Sequence, residues 1–202
     1  MKRVFLLFLL LPFGANAAII DLGDVTLDTD TGFEWLDLSF TDGKSATQVL
    51  GELDTYVGGG WRYASNSEVN QFVLAITGQP FTVSGWSTDY EGDTDAIAAF
   101  TGYSEQTPTS FDYVYAWTRE DPNFGSLGRY TVRDGNNNAA VIGRDFRRQF
   151  ISGISLNTTS RFYASWLLRE TNVTPVGEPG VLTLLGLGLA LTGFAARRRR
   201  FE

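Results

Sequence analysis

The 202-residue chain contains no cysteine and no histidine, and only one methionine. Without cysteine there is no disulfide framework and no thiolate nucleophile. Without either residue there is no Cys/His zinc site, and no serine can be activated by an imidazole base. Positive charge is also scarce: 16 Lys+Arg stand against 23 Asp+Glu, for a formal net charge of −7. Such an acidic chain is a poor binder of nucleic acid through its phosphates. Long apolar runs are missing as well. The two present lie at the ends, and neither reaches 18 residues.

The first run has the layout of an export signal. Lys2 and Arg3 open the chain, residues 4–13 are apolar, and Ala15-Asn16-Ala17 supplies small residues at the first and third positions of an A-x-A cleavage site. A positive start, a short apolar run and a small-residue site make a secretory signal peptide of residues 1–17, handed to the Sec export machinery. Ten residues are too few to span a bilayer. The mature chain is expected to begin at Ala18.

The second run reverses that order. Val176-Gly177-Glu178-Pro179-Gly180 breaks the chain, residues 181–196 carry no charge, and Arg197, Arg198, Arg199 and Arg200 follow. As a helix the run covers about 24 Å, slightly less than a hydrocarbon core of about 30 Å. Local thinning and snorkelling arginines close the gap. Four arginines resist translocation, so this end stays cytoplasmic while the exported start places the body outside.

The tail resembles the PEP-CTERM sorting region: a Val-Pro-Glu-Pro-like motif, a Gly/Leu/Ala-rich span and a terminal arginine cluster. Here these are Val176-Gly177-Glu178-Pro179, the segment from Leu184 to Ala190 and Arg197 to Arg200. Glu178 and Pro179 match the best-kept pair, while Gly177 stands where proline is usual. The resemblance implies an exosortase, a membrane-embedded cysteine protease or transpeptidase, as processing partner. It also implies an inner-membrane-anchored precursor, cleavage near the motif, and release to the cell surface, extracellular matrix or biofilm.

Residues 18–174 are read as one exported domain. From Ala18 to Asp112 there are 16 acids and two bases, whereas from Tyr113 to Glu178 six acids face eight arginines. Two helices are marked by capping boxes. Ser45 with Gln48 precedes Ala46, Val49, Leu50, Leu53 and Val57 at helical spacing, and Gly58-Gly59-Gly60 ends that run. Ser65 with Glu68 precedes Val69, Phe72, Val73 and Ile76, stopped by Gly78. A third short helix is expected over 94–100. Strands are expected over 25–27, 33–38, 111–118 and 161–169. Within 111–118, Tyr113, Tyr115 and Trp117 share a face. A hairpin is expected from 130–133 and 139–142 around Asp134-Gly135-Asn136-Asn137-Asn138. Helices early and antiparallel strands late argue for an α+β domain. A second resemblance rests on Asp28-Thr29-Asp30-Thr31-Gly32-Phe33-Glu34-Trp35, on the segment Gly60-Trp61-Arg62-Tyr63-Ala64-Ser65-Asn66-Ser67-Glu68-Val69, and on Trp166-Leu167-Leu168-Arg169. These look like segments of a bacterial domain of unknown function similar to C-type-lectin-like folds. They imply fold rather than activity.

Two groups of residues are candidates for chemistry. Asp89, Glu91, Asp93 and Asp95 alternate along an acidic loop around Gly92, and calcium takes six to eight oxygen ligands. No glutamate closes that loop in the EF-hand position. Asp28 and Asp30 form a smaller pair. Among the five tryptophans, Trp86 lies with Tyr90 in a Gly/Ser/Thr-rich stretch, where exposed rings can stack on sugars. The interaction reading is therefore a structural or binding body, with calcium-assisted binding of carbohydrate or exopolysaccharide as its alternative. No pair of carboxylates is singled out by spacing as a hydrolase couple, and no catalytic residue is expected.

Overall fold

The computed structural model describes residues 18–79, 85–106, 111–119, 127–135 and 145–171. The expected signal segment with Ala15 and Ala17, the motif Val176 to Pro179, the span 181–196 and the arginines 197–200 lie outside the described residues. So does the expected strand 139–142. No helix among the described residues is long and apolar enough to cross a membrane.

The body is a mixed α+β fold of two sheets with helices between and beside them. Strands β1 (Ile19–Asp21), β2 (Val25–Asp28) and β3 (Phe33–Leu36) form an antiparallel meander. The chain then gives α1 (Ala46–Glu52), β4 (Arg62–Tyr63), α2 (Asn66–Thr77), β5 (Gly85–Ser87) and α3 (Asp93–Thr101). It continues through β6 (Glu105–Gln106), β7 (Asp112–Arg119), β8 (Leu127–Asp134) and β9 (Asp145–Ile154), and closes with β10 (Ala164–Ser165) and β11 (Leu167–Glu170). The first sheet has the order β1-β2-β3-β11-β4; the second runs β10-β7-β8-β9-β5, with β6 also paired to β7. Among the described strands, pairings are antiparallel except β10 with β7.

Both capping boxes form. The Ser45 hydroxyl accepts from the Gln48 N–H at 3.2 Å, and the Gln48 side chain accepts from the Ser45 N–H at 2.8 Å. Ser65 and Glu68 do the same for α2. Gly78 ends α2 at φ +70°, a left-handed conformation that costs glycine little. The first helix is shorter than its apolar spacing predicts. It stops at Glu52 and passes into a 3-10 turn, and Leu50 and Val57 are exposed. The hairpin partner of β8 also differs: it is β9, paired from Asp134↔Asp145 to Leu127↔Ile154. The arginines within β9 conceal the alternation that marks a strand.

The last expected strand is split at Trp166, and the split joins the sheets. Ala164 and Ser165 pair with β7, whereas Leu167 to Glu170 pair with β3 and β4. Between them, the Trp166 N–H donates to Trp117 O at 3.0 Å, and Trp166 O accepts from the Ala64 N–H at 2.9 Å. Alternation then supplies two cores. Trp35 and Leu168 meet Phe72, Ile97, Val114, Tyr130 and Trp166 in the first. Leu36 and Leu167 meet Val49, Tyr63, Trp117 and Leu127 in the second. In the first core Trp35 stacks on Phe72 at 4.3 Å, and Trp166 stands edge-on to both.

Both ends of this body attach to the turn between β2 and β3. Ala18 exchanges hydrogen bonds with Thr29, and the Thr171 N–H donates to Gly32 O at 2.9 Å. The turn is held by Asp28, whose Oδ1 accepts from the Asp30 and Thr31 N–H groups at 3.0 and 3.3 Å. The early Asp28/Asp30 pair is thus a turn clasp, with Asp28 buried.

Glu68 carries an acid-sensitive contact as well as a cap. Burial raises its pKa, but the Arg62 guanidinium, at 2.6 and 3.1 Å, and the Ser65 N–H and hydroxyl together outweigh burial and hold it below 4.5. A depressed folded pKa contributes stability above the unfolded value, and that contribution is lost as pH falls through the folded one. Glu68→Gln keeps the capping geometry and removes the charge. With Arg62 more than a third exposed, solvent screening limits the expected loss to about 1 kcal/mol at neutral pH. In urea melts from neutral to acid pH, variant and wild type should converge as pH falls through the depressed folded pKa of Glu68.

Candidate functional site

The acidic loop does not stay a loop. Thr88–Tyr90 is a 3-10 turn, Gly92 adopts φ +83°, and α3 begins at Asp93. Asp93 and Asp95 occupy the first helical turn, where carboxylates favour the positive end of the helix dipole. Asp89 and Glu91 are exposed, Asp93 is buried, and Asp95 accepts from the Tyr103 hydroxyl at 2.6 Å. Among the described residues, no group of three or more acidic side chains is arranged to hold a metal ion.

Trp86 and Tyr90 also separate. Tyr90 is 8 % exposed and belongs to the interior, contrary to its expected exposure, because the 3-10 turn swings it inward. Trp86 lies on β5 and remains half-buried. It packs on Phe111 with ring centroids 5.5 Å apart.

From that contact a ladder of rings runs along β7. Its basis is the two-residue period of a strand: Val114 and Ala116 enter the first core against α2 and α3, so Tyr113, Tyr115 and Trp117 take the other face. Phe111 meets Tyr113 at 6.0 Å, and Tyr113 meets Tyr115 at 4.9 Å. The segment before β10 closes the far end. Phe162 lies 5.5 Å from Tyr113, and Tyr163 stacks on Tyr115 at 5.4 Å and on Trp117 at 4.4 Å. Ser104 fixes that segment to the strand. Its hydroxyl lies 3.1 Å from Tyr113 O and 3.0 Å from Phe162 O, and accepts from the Tyr115 N–H at 2.9 Å.

Two arginines of β8 lie on the same face, since Tyr113 pairs with Arg133 and Trp117 with Arg129. The Arg133 guanidinium stands over the Trp86 ring at 4.6 Å and over the Phe111 ring at 4.7 Å. Arg129 donates to the Tyr163 hydroxyl and lies 5.4 Å from its ring. Along the backbone, Phe146 pairs with both Trp86 and Arg133, and Arg148 pairs with Thr131. Burial pushes the Tyr115 phenol up to about 12, with Arg133 and Arg129 opposing the rise. Its hydroxyl therefore stays protonated at neutral pH.

Trp117, at the closed end, is buried; the open end formed by Trp86, Phe111 and Tyr113 is half-buried. The arrangement places apolar ring surface beside the Arg129 and Arg133 guanidinium groups. The aromatic share of β7 was readable in the sequence. Trp86 was a candidate in the sequence, but its place beside Phe111, with Phe162 and the arginines on the same face, was not readable, because these come from three separate segments besides β7. The chain matches no family model, and no curated protein and no solved structure matches it.

Proposed function

We propose that the chain is an exported surface or matrix protein, processed by an exosortase at its C-terminal segment, whose body serves as an interaction domain rather than an enzyme. The observation that carries this reading is where the folded body begins and ends. Strand β1 opens at Ile19, directly behind the Ala15-Asn16-Ala17 site, and β11 closes at Glu170, ahead of Val176-Gly177-Glu178-Pro179. Both cuts spare every described strand. Such a precursor sits in the inner membrane through residues 181–196 with Arg197 to Arg200 inside, and its body outside.

Mass spectrometry of the mature protein tests this. The expected C-terminus lies near Glu178 in the surface or extracellular fraction. A membrane-bound product that retains Phe201-Glu202 would replace the sorting signal with a plain single-pass anchor.

A carbohydrate-binding body is the second reading, favoured by the ring ladder beside β8. Calcium assistance has less support, since Asp89, Glu91, Asp93 and Asp95 serve a turn and a helix start. The C-type-lectin-like resemblance stays a proposal about ancestry of the fold.

A further inference from the structure

We infer that strand β1, an edge of the first sheet, pairs antiparallel with the same strand of a second copy and joins two five-stranded sheets into one. Such pairing depends on neither the delivery nor the carbohydrate reading. Among the described residues β1 pairs only with β2, so its other side is open. The ladder shows which groups that side offers. Ala18 O accepts from the Thr29 N–H, and the Leu22 N–H donates to Val25 O. The even-numbered residues therefore bond to β2, and Ile19 and Asp21 turn their N–H and C=O outward. Native edges are usually guarded by shortness, charge or proline. Strand β4, at the opposite edge, has two residues, one of them Arg62 bound to Glu68. Strand β1 has no proline or lysine, and its one charge, Asp21, accepts from the Gly23 N–H of its own turn at 2.7 Å. Of the five large apolar side chains exposed among the described residues, Ile20 at 41 % lies on this edge and Leu22 at 55 % directly follows it.

The strand is its own complement, which selects the occupant. With a two-fold axis at Ile20, Ile19 of each copy exchanges both hydrogen bonds with Asp21 of the other, and Ile20 stands opposite Ile20 in the close pair between them. That register places each carboxylate across from an isoleucine. A register with Asp21 opposite Asp21 would set like charges against each other. Opposite residues share a face, so Ile20 and its β2 neighbour Leu27 from both copies form one apolar strip across the joined sheet. So short an edge covers less than the roughly 1,000 Å² of a stable interface, so free copies associate weakly. Copies held side by side at a surface associate more, because the second contact is made at high local concentration.

The absence of cysteine gives a clean test by disulfide trapping. Ile20→Cys and Leu22→Cys are purified separately as the full chain in a polyoxyethylene detergent and oxidised with copper phenanthroline at about 100 µM protein. A disulfide needs Cα atoms about 4.4–6.8 Å apart. Across the axis the two Ile20 positions lie about 4.5 Å apart, whereas the two Leu22 positions are offset by about 13 Å along the strands. The expected result is a disulfide-linked dimer that forms at least about tenfold faster for Ile20→Cys than for Leu22→Cys, although Leu22 is the more exposed. Adding Asp21→Pro to the Ile20→Cys chain should slow linkage about tenfold, since it removes an outward N–H and leaves the bonds to β2 in place. No linkage of Ile20→Cys, linkage of Leu22→Cys at an equal or higher rate, or linkage that persists unchanged with Asp21→Pro would each overturn the inference. Contact made only through residues 181–196 would link both cysteine variants alike and so counts against it. Should the proline variant fail to fold, the comparison of the two cysteine variants decides alone.

Discussion

Trp166→Ala is expected to cost about 3–5 kcal/mol of folding stability, the range for removing a buried aromatic from a core. This is a large part of the roughly 5–15 kcal/mol that holds a single domain together. The side chain is fully buried and edge-on to Trp35, Phe72 and Tyr130. Its backbone also links the two sheets through Trp117 and Ala64. The cavity would thus open where both sheets depend on one residue. Trp166→Phe should cost less than half as much. It keeps most of the ring and removes an indole N–H that has no acceptor among the described residues. Chemical denaturation with matched m-values measures both. A loss below about 1 kcal/mol for the alanine variant would show that the sheets do not rely on this junction.

Arg169→Ala carries the second large effect, about 2–4 kcal/mol. Its guanidinium meets Glu34 at 2.6 Å, Val57 O at 2.7 Å and Gly59 O at 3.0 Å, and lies over the Trp61 ring at 4.5 Å. It therefore ties the central strand of the first sheet to the glycine triplet. Glu34 and Arg169 are about four-fifths buried, so truncation leaves a carboxylate with little access to water. Gly58 has φ +77°, and a Cβ there would fall 2.2 Å from the arginine Nη1. Gly58→Ala should thus reproduce most of the Arg169→Ala loss. In an Arg169→Ala background the same change should cost only the positive-φ strain, about 1 kcal/mol. A double-mutant cycle measures the difference; additive losses would show that the two residues do not share one interaction.

This clasp shows what a linear reading can and cannot reach. The glycine triplet was legible as a stop signal for a helix, yet the helix had already ended at Glu52. The triplet's role is to bring two carbonyls onto an arginine more than 100 residues away, and no local pattern encodes that meeting. The capping boxes were legible because all their atoms lie within one turn. The face shared by Tyr113, Tyr115 and Trp117 was legible for a similar reason, a fixed two-residue period. Strand β9 was not, since Arg147 and Arg148 interrupt the apolar alternation that identifies a strand. The acidic stretch from Asp89 to Asp95 was ambiguous because a helix start and a cation loop use the same residue type. Only backbone conformation at Gly92 separates them.

The turn that receives both Ala18 and Thr171 gives the domain a single doorway. The two ends of the body arrive and depart within a few residues of the same bend, so they lie side by side. Lifting it out, or exchanging it for another module, would leave the spacing of the flanks almost untouched.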